Sequence, residues 1–137
     1  PDWQDLINSI SSLLQKETEV QKVAQVVGIE ALPAEERLIL ESCGMVREIF
    51  LQQSAFDPID RFTTLKRQEG LLRILLHFFK SQDIWLKKGK PLEEMLEHPV
   101  KERLAHLREL EDEGFFLEIE RIKEELVKVE DEEVSRS

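Results

Sequence analysis

The residues with chemical potential in this sequence are three histidines, one cysteine and an excess of carboxylates, and their spacing decides what they can do. A carboxylate-bridged metal pair in a helical bundle needs Glu-x-x-His motifs on facing helices. His77, His98 and His106 each lack a Glu three residues earlier. Glu94–His98 and Glu102–His106 are instead four apart, the spacing of neighbours on a helix surface. Cys43 lies in an apolar helical stretch with no histidine nearby and reads as a buried structural thiol. As the only cysteine it permits no internal disulfide and points to a reducing compartment. A phosphate-binding loop needs a glycine-rich turn followed by Lys and Ser or Thr. None of Gly28, Gly44, Gly70, Gly89 and Gly114 begins one. Gly89-Lys90 runs into Pro91, which offers neither a hydroxyl for magnesium nor an N–H for phosphate. Nothing assembles a nucleophile, a base and an oxyanion donor. The sequence therefore predicts no catalytic residue and no metal ligand, and the chain alone is expected to bind no cofactor and catalyse nothing.

The elements that carry these residues are helical. Five glycines and five prolines in 137 residues leave little turn chemistry, which favours a few long helices over many short strands. The length suffices for one domain with a real core. The chain opens at Pro1 rather than at methionine, which suggests a piece of a longer polypeptide. The net charge is −10 and no block of Lys and Arg appears, so nucleic acid is excluded as a partner. Residues 93–133 hold sixteen Asp and Glu against six Lys and Arg, read as a solvated helix face with a frayed end. The richest apolar run, Leu71 to Phe79, is shorter than the about 18 residues of a membrane span and carries Arg73 and His77. No direct membrane insertion is expected.

Hydrophobic periodicity places the helices. Leu6, Ile10, Leu13, Val20, Ala24 and Val27, with Glu17 in the same row, alternate by three and four and form one stripe from Asp2 to Val27. Asp2 caps this helix, and Gly28 ends it in a left-handed conformation. Pro33 opens a second helix, with Glu35 and Glu36 complementing its dipole, running to about Gln53. Ser54 to Thr64 contains Asp57-Pro58 and reads as a loop. Thr64 caps a third helix, Leu65 to about Lys88, apolar on most sides at its centre and so the most buried. Gly89-Lys90-Pro91 breaks the chain. A short helix runs from Leu92 to about Glu97. Another starts at Pro99 with Leu104, Leu107 and Leu110 on its apolar side. Gly114 divides it from a last helix bearing Phe115, Phe116, Ile119, Ile122 and Leu126. The expectation is all-α: a bundle of about five or six helices over residues 1–128 and an acidic mobile tail over 129–137.

Several stretches carry a resemblance. Val26-Val27-Gly28-Ile29-Glu30-Ala31-Leu32-Pro33-Ala34-Glu35-Glu36-Arg37 resembles a helix–turn–helix of rotary ATPases. Arg47-Glu48-Ile49-Phe50-Leu51-Gln52-Gln53-Ser54-Ala55-Phe56 is similar to the helix that leads back to their nucleotide domain, Leu51-Gln52-Gln53 with a following aromatic being the most specific piece. Asp57-Pro58-Ile59-Asp60-Arg61-Phe62 stands where the family has an aspartate-plus-aromatic loop. Lys88-Gly89 and His98-Pro99-Val100-Lys101-Glu102-Arg103 resemble its terminal helices. From about Glu17 to Leu126 the chain thus looks like the C-terminal helical domain of the catalytic A subunit of archaeal- and vacuolar-type rotary ATPases. The family usually places Cys where Thr63 stands and often Tyr where Phe62 stands; the aromatic face is kept.

The resemblance implies two sites. Phe56, Ile59 and Phe62 would wall an adenine pocket, where stacking on a purine is worth about 1–3 kcal/mol per base. From the bare sequence Phe56 and Phe62 are also good core residues. Glu30, Ala31, Leu32, Pro33, Glu35 and Glu36 would form a turn touching the central rotor shaft, Leu32 and Pro33 by apolar contact and the glutamates towards basic shaft residues. Without the family, this is an ordinary helical hairpin. ATP or ADP with magnesium would bind the full subunit. The partners implied are the central stalk together with the B subunit in an A3B3 head, cytoplasmic and peripheral to the membrane, coupling ATP hydrolysis or synthesis to proton or sodium transport. A reading of another class is a free-standing helical adaptor that takes a partner helix into an apolar groove.

Overall fold

The computed structural model describes residues 3–51 and 61–131, the side chains of Leu51 and of residues 61–64 excepted. Among these there is no strand. The helices are α1 (Trp3–Val27), α2 (Ala34–Met45), α3 (Arg61–Lys87), α4 (Leu92–Leu96), α5 (Pro99–Ala105) and α6 (Asp112–Asp131). Two 3-10 turns, Ile29–Ala31 and Leu107–Glu109, and a π-helical turn, Val46–Leu51, complete the described chain. The all-α expectation holds.

The centre of α3 is apolar on most sides because helices cover it on most sides. Leu71, Leu72, Ile74, Leu75 and Phe78 are all buried. On one flank Leu71, Ile74, Leu75 and Phe78 join Phe115, Ile119, Ile122 and Leu126 of α6, Val100 and Leu104 of α5, and Met95 of α4. On the other flank Leu72 joins Leu6 and Ile10 of α1 and Val46 of the π-helical turn. The α3–α6 contact is the most extensive in the molecule. It is close because Gly70 has no side chain: a Cβ there would stand 3.3 Å from Ile119 Cδ1. Trp85 closes the far end of α3, its Nε1 donating to the Pro91 carbonyl at 2.9 Å while Lys90 stacks over its ring at 4.2 Å.

Several boundaries differ from expectation, each for a local reason. α3 is already helical at Arg61, where the described chain resumes, so Thr64 lies inside the helix and is not its cap. Nothing between Arg61 and Thr64 breaks a helix, and Pro58 is the last residue that does. The division before the last helix falls ahead of Asp112 rather than at Gly114, with Asp112 and Glu113 suited to the positive helix end. Gly114 sits within that helix's first turn. α6 extends past residue 128 to Asp131, and Val129 packs in the core. Residues 132–137 lie outside the described residues. His98, foreseen as a surface partner of Glu94, instead caps α5, its Nδ1 accepting from the Val100 N–H at 3.1 Å.

Ion pairs fasten the short helices to the long ones. Arg103 of α5 grips α6 twice, meeting Glu118 at 2.6 Å and also reaching Glu125. The hydrogen bond from Arg103 and its charge hold Glu118 below the ordinary carboxylate value against opposing burial. A depressed folded-state pKa contributes stability above the unfolded value of about 4.3, lost as pH falls through the folded value. Glu118→Gln is therefore expected to lower the melting temperature at neutral pH, and the gap should narrow as pH falls below about 4.3 and close below the folded value. Thermal melts across that range check it. In the core, Phe78→Ala is expected to cost about 3–5 kcal/mol, read from chemical denaturation.

Candidate functional site

The clearest candidate is the end of the bundle where α1 turns into α2. Its shape depends on Gly28, which adopts φ 87° and ψ 151°. That is positive-φ space nearly reserved for glycine, but the extended part of it, not the left-handed helical cap expected from sequence. The Gly28 N–H still closes α1 by donating to Ala24 O at 2.8 Å. Ile29–Ala31 then wind once, and Leu32 leaves extended. Pro33 stands just ahead of α2 as its cap, and its carbonyl accepts from the Glu36 and Arg37 N–H groups at 3.0 Å each. No side chain caps this helix.

The six residues expected at this turn do not share one environment. Glu30, Ala31, Pro33 and Glu35 are exposed and Glu36 is half-buried. Leu32 is only 5% exposed and anchors the turn from inside. The exposed apolar surface comes from its neighbours: Val23, Val26, Val27 and Ile29, with Val26 85% exposed. Val23, Val26 and Val27 are three and four apart and line one face of α1. The stripe read from the sequence therefore divides in its burial. Leu6, Ile10 and Val20 are buried, Leu13 and Ala24 half-buried, and the last turn faces outward.

Beside the turn lies the Gly89-Lys90-Pro91 break. Together they flank an open cleft of about 450 Å³ lined by Pro33, Glu35, Arg37, Leu86, Lys90 and Glu93, among others. Arg37 meets Glu93 across it at 3.5 Å. Nothing in the sequence announced this meeting, because residues 33 and 89 are far apart in the chain.

A second feature missed in sequence lies midway along the α1–α2 hairpin. Glu17, the one charge in the apolar row of α1, is 4% exposed. Arg47 takes it in a two-pronged grip, with Nη1 donating to Oε2 at 2.7 Å and Nη2 to Oε1. That contact raises the Arg47 pKa further. Cys43 sits alongside, fully buried, its Sγ 3.6 Å from the Leu13 carbonyl. Burial, aided by the Glu17 charge, pushes its thiol up to about 11, which keeps it protonated and unreactive. A charged residue at a core position of α1 is the one signal of this pair in the sequence; its partner stands thirty residues on.

The other expected site is only partly within view. Phe56 and Ile59 lie outside the described residues. Phe62 belongs to the first turn of α3 by its backbone, and its side chain is likewise outside them. Among the described residues no three or more His, Cys, Asp or Glu gather as metal ligands. No helix among them is long and apolar enough to cross a membrane.

Comparison with known proteins finds matches that span the hairpin and the helices after it. The family described as the C-terminal domain of V and A type ATP synthase matches residues 1–96. The V-type ATP synthase alpha chain of Thermoanaerobacter pseudethanolicus is 35% identical over 111 residues, covering 81% of this chain and 19% of that protein. The A subunit of the Pyrococcus horikoshii A-type ATP synthase is 38% identical over 108 residues, 79% of this chain and 11% of its own length. That of Methanopyrus kandleri is 35% identical over 125 residues, 91% and 21%. The chain thus spans about a fifth or less of the length of these relatives.

Arg47→Ala is expected to leave the Glu17 carboxylate buried without its partner and to lower stability by about 1–3 kcal/mol. Replacing both, as Glu17→Leu with Arg47→Met, should stay within about 1 kcal/mol of the parent chain. Urea denaturation of the two variants distinguishes a buried pair from a surface one.

Proposed function

Since the chain belongs to the family of C-terminal domains of V- and A-type ATP synthases, we propose that it is the stiff transmission part of a catalytic A subunit. Nucleotide binds a separate domain, and the bundle carries the resulting motion to the α1–α2 turn, which bears on the central stalk. The partners are the stalk together with the B subunit of an A3B3 head, and ATP or ADP with magnesium binds the full subunit. The observation that carries this reading is the outward apolar face of Val23, Val26, Val27 and Ile29, at the tip of a hairpin otherwise locked into the core. Single exposed apolar residues are ordinary, but a contiguous set at a rigid tip is a contact surface. Glu30 and Glu35 beside it suit basic residues on the shaft. Close-packed helices resist small deformations, which is what a lever requires.

The same reading gives Phe56, Ile59 and Phe62 to the adenine pocket, supported by the resemblance of Asp57-Pro58-Ile59-Asp60-Arg61-Phe62 to the family's loop. Phe62→Ala in the full subunit is expected to weaken nucleotide affinity roughly tenfold, since one stacked base is worth about 1.4 kcal/mol or more. Calorimetry showing unchanged affinity removes that role. Val26→Asp with Ile29→Asp in the assembled complex is expected to lower torque while leaving nucleotide affinity as it was. A single-molecule rotation assay returning parental torque counts against the lever. The isolated chain should release no phosphate from ATP.

A further inference from the structure

α1 is the longest arm of the hairpin, and little apolar surface holds it down. Of its residues only Leu6, Ile10, Glu17 and Val20 are buried. Leu6 and Ile10 join the smaller core cluster with Val46 and Leu72. Past Val20 the helix runs on to Val27 with Ala24 half-buried and every other residue exposed. Apolar contact has no direction of its own. Packed helix pairs accordingly scatter by about 15–20° around their preferred crossing angles. Val26 stands nine residues beyond Glu17 on the same helix, about 14 Å along its axis. A tilt of about 15° at Glu17 would carry Val26 sideways by about 4 Å. Apolar packing alone therefore leaves the place of the tip loosely specified.

The Arg47 guanidinium supplies direction. Its Nη1 donates to Oε2 of Glu17 at 2.7 Å and its Nη2 to Oε1. Two parallel hydrogen bonds between planar groups fix an angle as well as a distance. The arginine end is itself well anchored. Val46 on one side of Arg47 is buried in the smaller cluster, Ile49 on the other in the larger, and Phe50 packs against both. A buried ion pair adds little net stability over apolar side chains of similar volume, but it can specify one arrangement. We propose that Glu17 and Arg47 are positioning residues: their two-pronged contact aims α1 and so sets where the tip at Val26 and Ile29 stands. In the assembled enzyme the pair acts through that tip, a step that rests on the coupling role proposed above.

Aim and stability are separable by experiment. Glu17→Leu with Arg47→Met removes the directed contact, keeps the buried volume and is expected to keep parental stability in urea. Spin labels are placed at Val26→Cys and Lys123→Cys, both exposed, while the buried Cys43 escapes labelling. Pulsed dipolar spectroscopy of the full chain should give one narrow distance distribution with the pair intact, and one shifted or broadened by about 2–4 Å in the double variant. Coincident distributions overturn the proposal. Should the double variant not fold, Arg47→Lys keeps the charge and loses the fork; it is expected to broaden the distribution, and an unchanged one overturns the proposal equally. In the assembled complex the double variant should lower torque and leave nucleotide affinity as it was. Parental torque there, with torque lost in Val26→Asp with Ile29→Asp, overturns the pair's part in coupling and leaves the lever standing. Parental torque in both variants overturns the two together.

Discussion

Everything in this bundle leans on the burial of one helix. The middle of α3 is apolar towards both of its flanks, and no single neighbour could cover it. α6, α5 and α4 take one flank; α1 and the π-helical turn take the other. Phe50 and Phe79 touch both clusters and join them into one interior. The closeness of α6 depends on Gly70, which lets Ile119, Phe116 and Phe115 approach the α3 backbone. A helix covered in this way cannot tilt without moving its neighbours.

Charge is used with similar economy of position. The net charge of −10 sits mostly on solvated faces, where ion pairs contribute little. A few pairs link parts distant in sequence: Arg103 with Glu118, Lys101 with Glu41, and Arg37 with Glu93. His77, Ser81 and the Glu130 carboxylate meet at the end of α6, where Lys88 also takes the Glu130 carbonyl. Among the described charged residues only Glu17 is drawn fully into the interior, and there it fixes how α1 lies against the chain leaving α2. The middle of α1 and the π-helical turn after α2 are thus tied through one carboxylate.

The helices were legible in the sequence because apolar spacing reports a buried face directly. The stripe from Leu6 to Val20 and the apolar middle of α3 are examples. Spacing does not report what covers the face. It therefore held no sign that the last turn of α1 would stay uncovered, or that Leu32 would point inward and leave Val26 and Ile29 outside. The π-helical turn was invisible for a different reason. Its residues are good α formers, and the extra residue is a matter of tertiary fit rather than of composition. Glu17 could be seen as out of place in its row, but its partner could not, since Arg47 lies thirty residues on. That α3 is already helical at Arg61 escaped because Thr64 looks like a cap. The adenine role proposed for Phe56, Ile59 and Phe62 rests on the sequence resemblance.

The state of Cys43 has a practical side. A thiol sealed in the core and held protonated up to about pH 11 ignores maleimides and mild oxidants under ordinary handling. It is also the only sulfhydryl present. A second cysteine placed on the outward face of α1 would be the sole labelling position, so fluorophores or spin probes can be attached at the hairpin tip without first mutating the native one away.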